Sequence, residues 1–224
     1  AYTGLEHAWD EGFGYFGAAI NYNEYTDDEI AKKGGRPEFQ GYNDADGDGF
    51  ISLKTEYNFA ASVNAAKRDR GATVETDMTG DVFTAFVAGR HLISTAGGEL
   101  SDEQMTELIG YRDTIVHGWE MAFAATAVHY INDTLGDMAK IGTDEYSFAD
   151  HAKHWSELKG FALGFQFSPH SPLSGADFEL FHTLVGDAPV LEGGDLVQYE
   201  ADLLQARDLL KDAYGFDADN AANW

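Results

Sequence analysis

The segment from Ser101 to Ile141 limits the fold more than any other part of this 224-residue chain. Ser101 followed by Gln104 is a capping box, which opens a helix by satisfying two orphan amides reciprocally. The helical pattern then runs to about Ile141, with Gly136 as a candidate break. Its middle, His117-Gly118-Trp119-Glu120-Met121-Ala122-Phe123, is apolar nearly all round. A helix without a wet face needs partners on several sides, so this one is expected at the centre of a helical assembly.

The flanking sequence supplies such partners. Thr3 with Glu6 is a second capping box, opening an amphipathic stretch to about Ala19. Ser52 is placed to cap a helix over about Leu53 to Arg68. A further helix is expected over Asp81 to Thr95, where Val82, Phe83, Phe86, Val87 and Leu92 recur at 3–4 spacing before Gly97-Gly98 ends it. Helices are also expected over Ser147 to Phe165, from Ser174 to about Val185, and over Leu196 to Tyr214. Ser168-Pro169-His170-Ser171-Pro172 stops the first of these. No stretch reads convincingly as a strand. The expectation is an all-α bundle of about seven helices, as one domain over residues 1–224 or a compact pair of subdomains.

Charge and composition narrow the partners. The formal net charge is −25, with only 14 lysines and arginines, which argues against nucleic acid and anionic membrane surfaces. There is no cysteine, which excludes disulfides, thiolate zinc sites and iron–sulfur clusters. Any metal must be held by imidazole, carboxylate, phenol or carbonyl oxygen. No apolar run approaches the roughly 18 residues of a membrane span, so no transmembrane segment is expected. The chain opens on Ala1, which reads as the loss of an upstream segment or as a fragment.

Between the first two expected helices, Asn21 to Gly49 is polar and turn-rich, and long loops of this kind are usually functional or held by something. The end of this one suggests what holds it. In Asp44-Ala45-Asp46-Gly47-Asp48-Gly49-Phe50-Ile51-Ser52, three aspartates alternate. Glycine follows at the sixth place, an apolar residue at the eighth and a hydroxyl at the ninth. This matches the first nine positions of an EF-hand-type calcium loop, in which alternating carboxylates wrap a hard cation and glycine permits the turn. The twelfth position is Thr55, and Glu56 follows one place late. The expected calcium ligands are Asp44, Asp46, Asp48, the Phe50 carbonyl and Glu56. With only one such loop in the chain, a structural site is expected rather than a sensor.

A second cation centre is suggested by His-x-x-acid pairs at His7/Asp10, His117/Glu120 and His154/Glu157, each on a different expected helix and each with a tryptophan beside or within it. Helical bundles build metal sites from such i, i+3 pairs on facing helices. The alternative is that they are aromatic-flanked packing positions with the histidines hydrogen-bonded to acids. The favoured contributors to a transition-metal site are His7, Asp10, Glu11, His154 and Glu157, whose ligand types suit iron, manganese or zinc without selecting one. His91, His129, His170 and His182 read as surface or core histidines. No zinc-protease, nucleophile-elbow, P-loop or Rossmann motif is present, so a metallopeptidase reading is disfavoured.

Four blocks carry a resemblance. They are His7 to Gly17 (His-Ala-Trp-Asp-Glu-Gly-Phe-Gly-Tyr-Phe-Gly), Ser52 to Phe59, Val63 to Asp69, and His154 to Leu163. These resemble the domain family of unknown function DUF4856, grouped with the imelysin-like, iron-regulated exported proteins. The wider group carries Gly-x-His-x-x-Glu. Here His7 matches its histidine, with Leu5 in place of the glycine and Asp10 in place of the glutamate. The resemblance implies an all-helical fold, export to the periplasm or cell surface, and a role in binding or acquiring iron. Family members look longer, which would make this chain the C-terminal part of a larger precursor. Two functions are therefore expected. One is an exported, iron-related metal-binding protein with a structural calcium. The other is a non-catalytic, calcium-stabilised scaffold subunit with a cell-envelope protein partner.

Overall fold

The computed structural model describes residues 2–173 and 175–224, and it is helical throughout, with nine α-helices and two 3-10 turns among those residues. The α-helices are α1 (Gly4–Phe16), α2 (Asp27–Ile30), α3 (Ala61–Gly71), α4 (Met78–Thr95), α5 (Asp102–Met138), α6 (Phe148–Gly164), α7 (Gly175–Val185), α8 (Leu196–Tyr214) and α9 (Ala218–Asn223). The count exceeds the expected seven because α2 and α9 are short caps whose apolar stripe is too brief to show as a period. The only ladder-type pairing among the described residues is an isolated bridge between Tyr42 and Tyr57.

Local signals set most boundaries. Thr3 accepts from the Glu6 amide and Glu6 returns the bond to the Thr3 amide, while Gly17 closes α1 with φ of 84°. Ser101 and Gln104 form the same reciprocal pair before α5. Gly136 does not break α5, which continues to Met138. Ser174, expected to precede α7, lies outside the described residues.

One boundary is corrected. Residues 52–60 are turn and bridge, and α3 begins only at Ala61. Ser52 caps nothing, because its amide and carbonyl are spent inside the preceding loop. Ala60, with φ of 53°, is the left-handed residue that redirects the chain into α3.

The chain divides into two compact units, residues 1–70 with 75–122 and residues 71–74 with 123–224, and α5 contributes to both. In the first unit α1 lies on α4. Trp9 meets Phe86 edge-on and donates its indole N–H to the Phe86 carbonyl at 2.9 Å, and Phe13 and Phe16 extend the contact. Gly89 makes this approach feasible, since a Cβ there would occupy the space of the Trp9 ring. The glycines within α1, by contrast, are not needed for close packing: Gly14 faces open space and Gly12 only ordinary contact.

In the second unit Trp155 donates to the Tyr199 hydroxyl at 2.9 Å, and Tyr199 donates to the Val185 carbonyl at 2.8 Å, tying α6, α7 and α8. The C-terminal Trp224 is buried edge-on against Phe216, with its carbonyl held by Asn132. From Ala122 to Ile131, α5 buries Ala122, Ala124, Ala125, Ala127, Val128 and Ile131 completely, as its apolar middle requires.

Candidate metal centre

The segment between α1 and α3 contains two acidic features. The first surrounds α2. Thr26 and Glu29 form a capping box, and the Glu29 carboxylate also receives Arg36. Arg36 Nε and the Arg36 amide lie 2.7 and 2.8 Å from Oε1, and Nη2 lies 2.8 Å from Oε2. Gly35, with φ of 84°, turns the chain tightly over Glu29, and Arg36 lies 3.6 Å from the centre of the Phe39 ring. The Arg36 bonds hold the buried Glu29 carboxyl down at about 2. This knot fixes the first half of the long loop, and the Gly-Gly-Arg-Pro sequence did not reveal it. The available signal was Thr26/Glu29, a capping box opening a very short helix.

The second feature is the aspartate loop. Asp44, Asp46 and Asp48 each offer a carboxylate oxygen, and the three oxygens lie within 4.8 Å of one another, the one such group of three or more metal-ligating side chains among the described residues. The backbone folds around the first of them. Asp44 accepts from the amides of Gly47, Asp48 and Gly49 at 2.8, 3.1 and 2.9 Å, and Asp48 accepts from the Phe50 amide at 2.8 Å. Gly47 and Gly49 supply positive φ angles of 75° and 86°, which this tight winding requires.

Glu56 is not among the three converging side chains. It is buried and binds backbone at both ends of the loop: Ala45 and Asp46 amides at 2.7 and 3.2 Å on Oε1, and the Ser52 amide at 2.8 Å on Oε2. The Ser52 amide, then those of Ala45 and Asp46, lower its pKa. Its place one residue after the twelfth position fits a staple that closes the loop. The flanking structure also departs from an EF-hand, because no helix borders the loop. The stacked rings of Tyr42 and Tyr57, 5.6 Å apart, join its two arms.

The expected transition-metal residues divide between the units. In the first, His7 Nε2 lies 3.5 Å from Glu11 Oε1, and both side chains are more than half exposed. Asp10 is engaged elsewhere, accepting from Arg90 at 2.7 Å and from the Tyr2 hydroxyl at 2.8 Å. In the second, His154 Nδ1 lies 2.7 Å from Asp137 Oδ2 and Nε2 lies 3.8 Å from Asp133 Oδ2, while Glu157 pairs with Lys153 at 4.0 Å. His117 is exposed whereas Glu120 is buried. Trp9, Trp119 and Trp155, which flank the three pairs, all serve packing. Sequence reasoning missed Asp133 and Asp137, and it set aside His129, which lies 3.3 Å from Asp133. The spacing His129-x-x-x-Asp133-x-x-x-Asp137 down one helix face was the signal.

No helix of the described residues is long and apolar enough to cross a membrane. No family model matches the chain, and no curated protein or solved structure matches it.

Proposed function

We propose that this is a calcium-binding helical protein in which one Ca²⁺ orders the segment between α1 and α3. The observation that carries this is the convergence of Asp44, Asp46 and Asp48 in a loop whose amides already wind around Asp44. Three carboxylates and the Phe50 carbonyl make a four-oxygen set for a hard cation that completes its shell with water. Three close negative charges repel one another, and a divalent ion turns that repulsion into attraction. A site of this charge and exposure belongs with extracellular modules, whose affinities are on the order of 10⁻⁴–10⁻³ M. That range agrees with export to the periplasm or cell surface, as the imelysin-like resemblance implies.

The same resemblance adds an iron-related role near His7 and Glu11. Those two side chains form a surface pair that a first-row ion could join, with manganese and zinc as competitors. Calorimetric titration with Ca²⁺, and elemental analysis of the purified protein, test both parts. One equivalent of calcium lost in Asp46→Asn is the expected result, and no calcium uptake by the native chain refutes the calcium site. A transition metal unchanged in His7→Ala refutes the iron site.

A second reading has its own observation. Phe50 and Leu53 stand 77% and 72% exposed on and beside the aspartate loop. Apolar side chains held out by a metal-ordered loop suit docking onto another envelope protein, the scaffold role.

A further inference from the structure

In the second unit, four side chains from α5 and α6 form a constellation distinct from the aspartate loop. His129, Asp133 and Asp137 follow one another at four-residue spacing on α5, and His154 approaches them from α6. Asp133 Oδ2 lies between two imidazoles, 3.3 Å from His129 Nε2 and 3.8 Å from His154 Nε2. Asp137 is buried and takes the other nitrogen of His154, Nδ1, at 2.7 Å, with Lys140 3.6 Å from its second oxygen.

We propose that His129 Nε2, Asp133 and His154 Nε2 form a binding site for a first-row divalent transition ion of the zinc type, with Asp137 positioning His154. Tautomer chemistry comes first. A carboxylate on Nδ1 fixes that nitrogen as the N–H donor, so the neutral ring presents its lone pair at Nε2. That nitrogen lies 3.8 Å from a carboxylate oxygen, too long for a hydrogen bond, and two electron-rich atoms at this separation are suited to share a cation. Distance agrees. Ligand bonds of about 2.0–2.1 Å in a tetrahedron put neighbouring ligand atoms about 3.3 Å apart. The two N···O separations are 3.3 and 3.8 Å. Two imidazoles and one carboxylate leave a fourth position for water, and all three side chains are only partly buried, so an ion can enter. The ring of Tyr130 lies alongside His154, with centroids 6.2 Å apart.

The three ligand atoms do not all lie within 4.8 Å of one another, so loading must draw the two Nε2 atoms onto one side of Asp133. This gives a site of moderate affinity rather than a closed structural centre. Asp137 is a positioning residue. Its loss is expected to weaken binding 10- to 100-fold through the orientation of His154.

The test is titration of the full chain with Co²⁺ and Zn²⁺, in excess Ca²⁺ to occupy the aspartate loop. One equivalent of Co²⁺ with the visible absorption of a low-coordinate complex is expected. His129→Gln and His154→Gln should each weaken Zn²⁺ binding more than 10-fold, while far-UV circular dichroism stays native. Asp137→Asn should weaken it while leaving the stoichiometry at one. Asp46→Asn, which tests the calcium reading, should leave zinc binding intact, so either site can fail alone. Binding that survives both histidine variants, that disappears in His7→Ala, or that never reaches one equivalent overturns the proposal.

Discussion

The two acidic features between α1 and α3 differ in how their charge is answered. Glu29 is 2% exposed and complete in itself: Arg36 supplies the countercharge to both oxygens, and Phe39 covers the guanidinium. Asp44, Asp46 and Asp48 are wound just as tightly, yet among the described residues no ion pair joins them to a basic side chain. Backbone amides satisfy some of their lone pairs but cannot cancel three negative charges. One turn carries its own countercharge, and the other gathers three carboxylates without one. A protein with 39 acidic and 14 basic residues cannot supply an arginine to every such turn.

The largest expected effect breaks the self-contained turn. Arg36→Met leaves the buried Glu29 carboxylate without its partner and should lower stability more than the loss of calcium does. Urea unfolding followed by tryptophan fluorescence should show the same loss in calcium and in chelator. A loss that calcium repairs would mean that the two turns are not independent.

Next in size is calcium itself. Free Ca²⁺ at roughly ten to a hundred times the dissociation constant stabilises by about 1.4–2.7 kcal/mol. The native chain should therefore melt several degrees higher in calcium than in chelator. Asp46→Asn should lose this gain, and in chelator it should be at least as stable as the native chain, because it relieves like-charge repulsion. Identical melting of the two proteins in both conditions would leave the loop a solvated acidic turn.

These two turns also show what was legible in the sequence. The convergence of the three aspartates could be read because their spacing is local: carboxylates at alternate places and glycine at the turn are visible without a fold. The knot could not, since Glu29 and Arg36 gain their meaning from burial. Helix existence was legible for the same local reason, through the boxes at Thr3/Glu6 and Ser101/Gln104 and the apolar period of α4. The helix expected from Leu53 failed because the loop draws the Ser52 amide onto Glu56, and tertiary demand overrides local helix preference. At the histidines, sequence pairing favoured His154 with Glu157 on its own helix. The structure gives His154 to Asp133 and Asp137 on α5, a choice made by helix packing that no spacing within α6 encodes.

The smallest effect separates two neighbours in the knot region by the sign of their pH dependence. Glu29, held down at about 2, contributes stability that is present above the ordinary carboxylate range and is lost as pH falls toward 2. Asp27 is pushed up to about 6, first by burial and then by nearby Asp69, against the bond from Thr79. The fold prefers Asp27 protonated, so its contribution runs the other way: stability declines as pH rises from about 4 through 6, and the penalty is full at pH 7. Removing that charge with Asp27→Asn should raise stability at pH 7 by about 1 kcal/mol, after allowance for partial solvent screening. The gain should shrink through pH 4 and vanish near pH 3, where Asp27 is protonated in both folded and unfolded chains. The difference between variant and native unfolding free energies at each pH isolates this residue from the histidines, which titrate identically in both proteins. A difference that stays constant from pH 7 to pH 3 would show that the side-chain amide acts by shape or hydrogen bonding, and that Asp27 carries no strained charge.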